Sequence, residues 1–535
     1  MRLQFTVNKN KILKFNDGFI FVIVIFFALF LRTYKLDLRP MHTDEAVHAV
    51  KFGELLENDS YKYDPIEYHG PTLNYFTLIS ASLFGEKTFQ EIDEITLRLV
   101  PTIISLLLIA SLLLLYNKNN FRLTILIAFL ITVSPVVQFY SRYYIQEILL
   151  VAFSYSSLLT FYKYFKTKRI LWLIVSGLLV GLIFTTKETS IITFFAAIVA
   201  LIVLSFLNTN FRRKILVSKT HLGLVLVIAA FVSILFYSSF FSNLKGISDS
   251  ILTFINYFSK AGSNPIHIQP WYYYIELMSF THNGLLFYSS IPIFFFTLVG
   301  FYFIFLSAHK TSNIFLFRFI AIFSLVQAIV YSLISYKTPW LVLNFWVGFL
   351  FMAGYGIYQT YNILKENISK RIFTLLFIII ISHNIYQTFN TSFKFPYQSE
   401  NPFTYSQPSP QVIKIANKVF SVAERANVLV NVVVPKNDYW PLPYYLRELK
   451  NVAWNNYVPD DIYKFPIILV SPEFEDELIN KLYSNPPPGQ QNLYIPLFDK
   501  YLELRPSVEL RGYVQKEYYD HHLRILDNTS GDDKL

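Results

Sequence analysis

The feature that most constrains this chain is a series of long apolar runs, separated by short polar turns, which fills most of residues 19–389. A run of about 20 apolar residues can cross a hydrocarbon core of about 30 Å as a helix that satisfies its own backbone hydrogen bonds. Only 15% of the 535 residues are charged, whereas soluble proteins carry about 25%. The sequence therefore predicts a polytopic α-helical membrane protein.

The apolar runs predict about eleven transmembrane helices. These runs are residues 19–31, 100–116, 123–139, 148–164, 171–185, 191–207, 222–241, 285–306, 315–335, 341–358 and 372–389. The amphipathic run 71–84 is too short to span the membrane, so we interpret it as an interfacial helix. No small-residue cleavage site follows the first run, so we expect it to stay as an uncleaved span.

Positive charge indicates the orientation of the chain. The densest Lys and Arg clusters, at 163–169, 212–219 and 365–371, all fall on one side if the N terminus is cytoplasmic. This explains the net charge of +10 without nucleic acid as a partner. Cysteine is absent, which excludes disulfides and thiolate chemistry. We expect a multi-pass protein of the cell membrane whose mixed-charge motifs lie on the extracytoplasmic side.

The composition changes after residue 395, which ends the predicted membrane domain 1–395 with its first outer loop at 33–70. Residues 396–410 are rich in Pro and Ser and read as a linker. In 411–526, helical patterns alternate with β-branched runs, which predicts a small α/β domain on the outer side. Residues 527–535 form a polar tail.

An acidic pair, Asp44 and Glu45, follows the first apolar run. Adjacent carboxylates repel, so a metal, a basic partner or proton transfer from a hydroxyl would explain them, and a solvated loop pair is the plainer alternative. We take both as candidate catalytic residues. A divalent metal is left open: its ligands would be Asp44, Glu45, His42 and His48, or Asp44 with His42, His48 and His69, but the spacing matches no established signature.

Basic residues recur at the outer ends of several spans. A charge at this depth is costly unless it is paired or functional, and an Arg side chain binds oxyanions bidentately. Structural ion pairs and interfacial anchors are the alternative explanation. Candidate phosphate-binding residues are His69, Arg142, Lys187 and Lys337, with Glu147, Glu188 and His48 as supporting residues.

The outer domain contains an aromatic motif after its first β-branched run, with Asp438, Trp440 and Arg447. Ligands often bind beyond the carboxyl ends of strands in α/β units. These residues are therefore candidate acceptor-binding residues on a carbohydrate-contacting or membrane-facing surface. Packing in the domain core would explain some of the aromatic side chains equally well.

Taken together, these motifs resemble the GT-C class of membrane glycosyltransferases. The similarity is to the protein O-mannosyltransferase and lipid A aminoarabinose transferase type, like glycosyltransferase family 39, over residues 15–360. With the C-terminal domain, the chain resembles a prokaryotic, mainly archaeal subfamily labelled flippase-activity-associated. The motifs that carry the resemblance are DEAVHA, YHGPTLNY, SRYYIQE, TKE, SYKTPW and DYWPLPYYLR.

The resemblance implies a GT-C fold and an inverting transfer of a sugar from a polyprenyl- or dolichyl-phosphate donor. The acceptor would be a protein, lipid or glycan on the outer face, and membrane lipid would surround the site. Asp44 matches the acidic residue that serves as base or orienter in the family, and Glu45 would support it. His69 falls where the family often has Lys, so Arg142, Lys187 and Lys337 would compensate.

Two other functions stay open from the sequence. A flippase or transporter of lipid-linked saccharides would carry charged residues in mid-span and inverted repeats, whereas the runs here are almost purely apolar. A non-catalytic assembly factor with the same fold is the other alternative.

Overall fold

The computed structural model describes residues 9–66, 69–116, 121–207, 219–260, 267–306, 313–426 and 428–520. The predicted polar tail 527–535, the last residues of the predicted outer domain and most of the basic cluster 212–219 lie outside these ranges.

The first part of the chain is α-helical. Its helices are α1 (Lys9–Thr33), α2 (Thr43–Asn58), α3 (Thr72–Phe84), α4 (Glu94–Ser111), α5 (Phe121–Thr132), α6 (Pro135–Tyr140), α7 (Glu147–Thr167), α8 (Ile170–Thr186), α9 (Ser190–Leu207), α10 (Lys219–Tyr237), α11 (Lys245–Lys260), α12 (Tyr273–Ser279), α13 (Ile291–Phe305), α14 (Ile314–Leu333), α15 (Leu343–Ile363) and α16 (Asn367–Phe389).

Within the described ranges, seven helices are long and apolar enough to cross a membrane: α4, α7, α9, α10, α14, α15 and α16, some with the turns that flank them. Three shorter apolar helices, α5, α8 and α13, accompany them. The apolar sequence of α1 adds a further helix of 25 residues. The chain is thus a multi-pass membrane protein, as the apolar runs predicted.

Two predicted spans differ from the structure. The run 123–139 is interrupted before Pro135, because the residue that precedes a proline is biased away from helical geometry. The run 285–306 begins in a β-hairpin, β1 (Thr281–Asn283) and β2 (Leu286–Tyr288), so helix α13 starts only at Ile291. Gly284 supplies the positive φ, 55°, that this hairpin turn requires. Apolarity alone did not reveal either break.

The segments outside the long spans are also helical. α2 lies inside the predicted first outer loop 33–70, and α3 coincides with the run 71–84. α11 is amphipathic, with its polar face turned towards the protein and its apolar face exposed. Asp249 and Thr253 are buried, whereas the side chains of Ile251 and Ile255 are 64% and 65% exposed. An exposed apolar face of this kind is typical of a helix that lies in the membrane interface.

The C-terminal part is a small α/β domain, as predicted. Its elements are α17 (Gln411–Ala426), β3 (Val430–Val433), α18 (Leu442–Tyr445), β4 (Val452–Asn455), β5 (Ile467–Val470), α19 (Glu475–Ser484), β6 (Tyr494–Pro496), β7 (Leu502–Arg505) and β8 (Val508–Gln515). The six-stranded sheet has the order β4-β3-β5-β8-β6, with β7 paired to β8, and β3 is parallel to both β4 and β5. The strands β6 to β8 were not predicted.

The segment 396–410, expected as a linker, packs into the membrane part. Phe403 is fully buried among the rings of Phe139, Tyr140 and Tyr288. The Tyr140 hydroxyl donates to the Phe403 carbonyl at 2.8 Å. We call this segment the connector, because it holds the two parts of the chain together instead of separating them.

Candidate functional site

The candidate site is built on the first turn of α2. His42 caps this helix: its Nδ1 accepts a hydrogen bond from the Asp44 amide at 3.1 Å, while its own amide donates to Glu45 at 2.8 Å. His42 Nε2 donates to the Tyr405 carbonyl of the connector at 2.8 Å. One ring nitrogen must accept and the other must donate, so these contacts fit a neutral His42 with its proton on Nε2.

Glu45 is fully buried and belongs to a charge network. Its carboxylate accepts from Arg39 at 2.8 and 3.1 Å and from Arg98 at 3.0 and 3.1 Å. The amides of His42 and Tyr144 also donate to it, each at 2.8 Å. Burial alone would raise the pKa of Glu45, but the two guanidinium charges outweigh it and hold this pKa far below its usual range. The Glu45 carboxylate is therefore enclosed and fully engaged by protein donors, and its predicted catalytic role stays a prediction.

Asp44 has the opposite surroundings, because its side chain is 46% exposed. His42 Nδ1, which accepts from the Asp44 amide, lies 4.0 Å from an Asp44 carboxylate oxygen. The negative charge of Asp44 also acts on His267 and Tyr405, which hydrogen-bond to each other. Burial lowers the pKa of His267, and the Asp44 charge opposes that effect. Of the adjacent pair, Asp44 is thus the carboxylate that a reacting hydroxyl could reach.

His48 lies one turn further along α2 and is buried. Burial and the nearby His69 lower the pKa of His48 to about 3. The Gln146 amide approaches its Nδ1 at 3.5 Å, and the rings of His48 and His69 are 5.8 Å apart. His48 is therefore neutral near pH 7 and links the Asp44 turn to His69.

Gly70 brings His69 against the turn between α8 and α9, residues 187–189. A Cβ atom at Gly70 would lie only 2.1 Å from the Thr185 carbonyl oxygen, so only glycine permits this approach. His69 Nδ1 then donates to Glu188 at 2.8 Å, and the Tyr63 hydroxyl approaches the same carboxylate at 3.5 Å. The His69 side chain keeps 35% exposure. It is the most accessible of the four predicted phosphate-binding residues.

Lys187 and Glu147 form a buried ion pair beside this turn. Burial would lower the pKa of Lys187, but the Glu147 charge outweighs it and raises that pKa. Burial would likewise raise the pKa of Glu188, which the neighbouring His69 instead lowers. Lys187 and Glu188 are thus held in their charged forms, and the Glu147 carboxylate occupies the Lys187 ammonium group.

The remaining predicted cations face backbone carbonyls. Arg142 donates to the carbonyls of Leu31 and Tyr34, at 3.1 and 2.6 Å, and to those of Arg32 and Lys35, so it caps the C-terminal end of α1. Backbone carbonyls thus occupy the guanidinium, and phosphate binding by Arg142 stays a prediction.

Lys337 is also engaged by the backbone. It donates to the Gln269 carbonyl at 3.0 Å and to the Ile334 carbonyl, and burial lowers its pKa. Its surroundings, too, suit a structural role better than phosphate binding.

One of the candidate acceptor residues joins the two parts of the chain. Arg447 donates to the carbonyls of Phe89 and Ile92, at 3.2 and 2.6 Å. Asp438 pairs with Arg505, which also donates to the Trp440 carbonyl at 2.6 Å, and these contacts lie within the C-terminal domain. Arg447 thus lies at the interface between the two parts, and acceptor binding by the three residues stays a prediction.

The described residues contain no group of three or more His, Cys, Asp or Glu side chains arranged to hold a metal ion. Glu45, one of the candidate ligands, directs its carboxylate to two arginines. The candidate ligand set Asp44, Glu45, His42 and His48 is therefore not assembled in this arrangement.

Sequence reasoning missed four residues of the site: Arg39, Arg98, His267 and Tyr405. Arg98 carried a usable signal, since it is a lone cation near the start of an apolar helix and such a charge needs a partner. His267 and Tyr405 carried none, because they lie far from Asp44 in sequence.

Comparison with known structures identifies the class of fold. ArnT from Cupriavidus metallidurans, solved with undecaprenyl phosphate, matches with a TM-score of 0.63 and 13% identity over 92% of this chain and 97% of that chain. The archaeal oligosaccharyltransferase AglB from Archaeoglobus fulgidus, solved with an inhibitory peptide and a dolichol-phosphate, matches with a TM-score of 0.53 and 14% identity, over 86% and 70%. The chain has the GT-C fold, which confirms the predicted resemblance.

A family model described as dolichyl-phosphate-mannose-protein mannosyltransferase matches residues 68–237. This range includes His69, Arg142, Glu147, Lys187 and Glu188 and begins after Asp44. No curated protein sequence matches the chain.

Proposed function

We propose that this protein is a membrane glycosyltransferase. It transfers a sugar from a polyprenyl-phosphate donor to an acceptor on the extracytoplasmic face, with inversion and with Asp44 as the base. The fold and the family model support the class of reaction. The lipid phosphates in the ArnT and AglB structures support the class of donor.

The observation that carries the proposal is that the adjacent carboxylates of Asp44 and Glu45 differ in burial and in charge partners. Glu45 is buried and neutralised by two arginines, whereas Asp44 is half exposed at the start of the same helix. A general base must be ionised and within reach of the proton that it takes. Glu45 fails the second requirement because it is enclosed, whereas the exposure of Asp44 permits it.

In the proposed step, Asp44 accepts the acceptor hydroxyl proton as the oxygen attacks the anomeric carbon of the donor sugar. The bond from the acceptor oxygen to this carbon forms while the bond from the carbon to the phosphate oxygen breaks. The electron pair of the broken bond leaves with the lipid phosphate. Fixed positive charge stabilises that leaving group. His69 is the best-placed basic side chain for this, since Glu188 orients it and its side chain is partly exposed.

The experiment that tests this is a transfer assay with purified protein in lipid. Donors would be a panel of polyprenyl-phosphate sugars, and acceptors would be cell-envelope protein, lipid and glycan fractions. Asp44→Asn should lower turnover by about 10²–10⁴-fold, the range for loss of a general base.

Asp59→Asn is the matched control, because Asp59 caps the other end of α2 in a left-handed conformation that Asn also tolerates. It should keep wild-type turnover. Equal activity of Asp44→Asn and wild type would refute the role of Asp44. Binding of every lipid donor without turnover by the wild type would instead favour a flippase or assembly factor.

A further inference from the structure

The segment that leads into Asp44 is held by the connector and the C-terminal domain at five consecutive residues. Arg39 Nη1 lies 3.3 Å from Gln407 Oε1, and the Pro40 carbonyl accepts from Gln407 Nε2 at 3.0 Å. The remaining contacts join the Met41 amide to the Tyr445 hydroxyl at 2.8 Å, His42 Nε2 to the Tyr405 carbonyl at 2.8 Å, and Arg505 to the Thr43 hydroxyl at 3.5 Å.

This segment has little structure of its own. Residues 38–42 belong to neither helix nor strand, and Pro40 has no amide hydrogen to donate. Met41 is nonetheless fully buried, so its amide requires a partner. The Tyr445 hydroxyl, more than four hundred residues away in sequence, supplies that partner.

The side chains that hold this segment have further partners of their own. Gln407 is buried and also accepts from the Tyr143 hydroxyl at 2.6 Å, so it joins the connector to the ring that stacks on Arg39. Arg505 is buried beside Asp438 and the Trp440 carbonyl. Gln407 and Arg505, which hold residues 39–43, are therefore themselves fixed by further buried partners.

We propose that Tyr405, Gln407, Tyr445 and Arg505 are positioning residues that set the conformation of Arg39–Thr43 and thereby aim the Asp44 carboxylate. The C-terminal domain is then a working part of the site, which is incomplete without it. The catalytic meaning of this inference rests on the proposed transfer reaction, whereas the ordering of the segment does not.

The first test measures ordering directly, by hydrogen exchange of peptides that cover residues 38–46 in the full-length protein in lipid. Tyr445→Phe removes only the hydroxyl that accepts from the Met41 amide. Exchange at Met41 should then rise about 3–10-fold, as expected for the loss of one buried hydrogen bond. Tyr513→Phe is the matched control, because its hydroxyl bonds to Glu475 within the same domain and does not contact the segment.

The second test measures transfer kinetics. Tyr445→Phe and Arg505→Lys should each lower kcat about 10-fold or more while the KM for the lipid donor stays unchanged, because a small misplacement of a reacting group affects the chemical step. Arg511→Lys is the control for Arg505→Lys, since Arg511 pairs with Glu475 and Glu509 away from the site. A general loss of folding would move the melting temperature and the donor KM together.

The outcomes separate this inference from the proposed function. Faster exchange in Tyr445→Phe but not in Tyr513→Phe supports positioning even if no donor is turned over. Equal exchange in both variants overturns it, even in an active transferase. Faster exchange in Tyr445→Phe with an unchanged kcat also overturns it. The Tyr445 hydroxyl would then order the segment, but this order would not affect the action of Asp44.

Discussion

Replacing Glu45 by Gln is expected to destabilise the protein strongly, whereas replacing the adjacent Asp44 by Asn is expected to leave its stability nearly unchanged. Glu45 is inaccessible and is the carboxylate partner of both Arg39 and Arg98, which are 6% and 0% exposed. Gln has the shape of Glu but no charge, and its amide group would point a donor at one of the guanidinium groups. Two buried cations would lose their counter-ion.

The size of the effect follows from burial. Removing one partner of a buried ion pair costs about 3–5 kcal/mol, because the remaining charge is left uncompensated. The loss in Glu45→Gln should lie at or above that range, since one carboxylate serves two arginines. Asp44, by contrast, is half exposed and contributes through the start of α2, so Asp44→Asn should cost less than about 1 kcal/mol.

The assay is thermal unfolding of both variants in the same lipid or detergent, combined with transfer activity. We expect Glu45→Gln to melt well below the wild type and Asp44→Asn to melt close to it, although both lose activity. The double variant Glu45→Gln with Arg98→Met should recover part of the stability, because it removes one of the unpaired cations. A Glu45→Gln variant that melts with the wild type would refute the reasoning.

Two further predictions concern the surroundings of the site. Folding lowers the pKa of His48 from 6.5 to about 3, so its contribution to stability is present above pH 6.5 and is lost as the pH falls towards 3. Between pH 7 and pH 5 this loss is about 2 kcal/mol. His48→Gln should remove that part of the pH dependence of melting, and an unchanged profile would contradict it. Arg142→Lys should cost about 1–3 kcal/mol, because a compact ammonium cannot serve the spread carbonyls at the end of α1. The control is the exposed Arg169→Lys, and equal melting of both variants would contradict the capping role.

The general architecture could be predicted because apolarity is a local property. A long run without charges must become a helix in a bilayer, and alternating β-branched runs mark buried strands. The interruptions were harder to foresee. The second hairpin strand, Leu286–Tyr288, and the break before Pro135 lie inside runs that are mostly apolar, so hydropathy does not distinguish them from continuous spans.

The sequence by itself determined that an acidic pair follows the first span, and it predicted that basic residues return to the same side of the membrane. It could not assign different roles to Asp44 and Glu45, since the two carboxylates are chemically alike. Only the tertiary structure decided this. It places Arg39 and Arg98 around the Glu45 carboxylate and leaves the Asp44 carboxylate about half exposed. The physical reason is that burial and charge partners are set by contacts between residues distant in sequence, and these decide what each ionisable group can do.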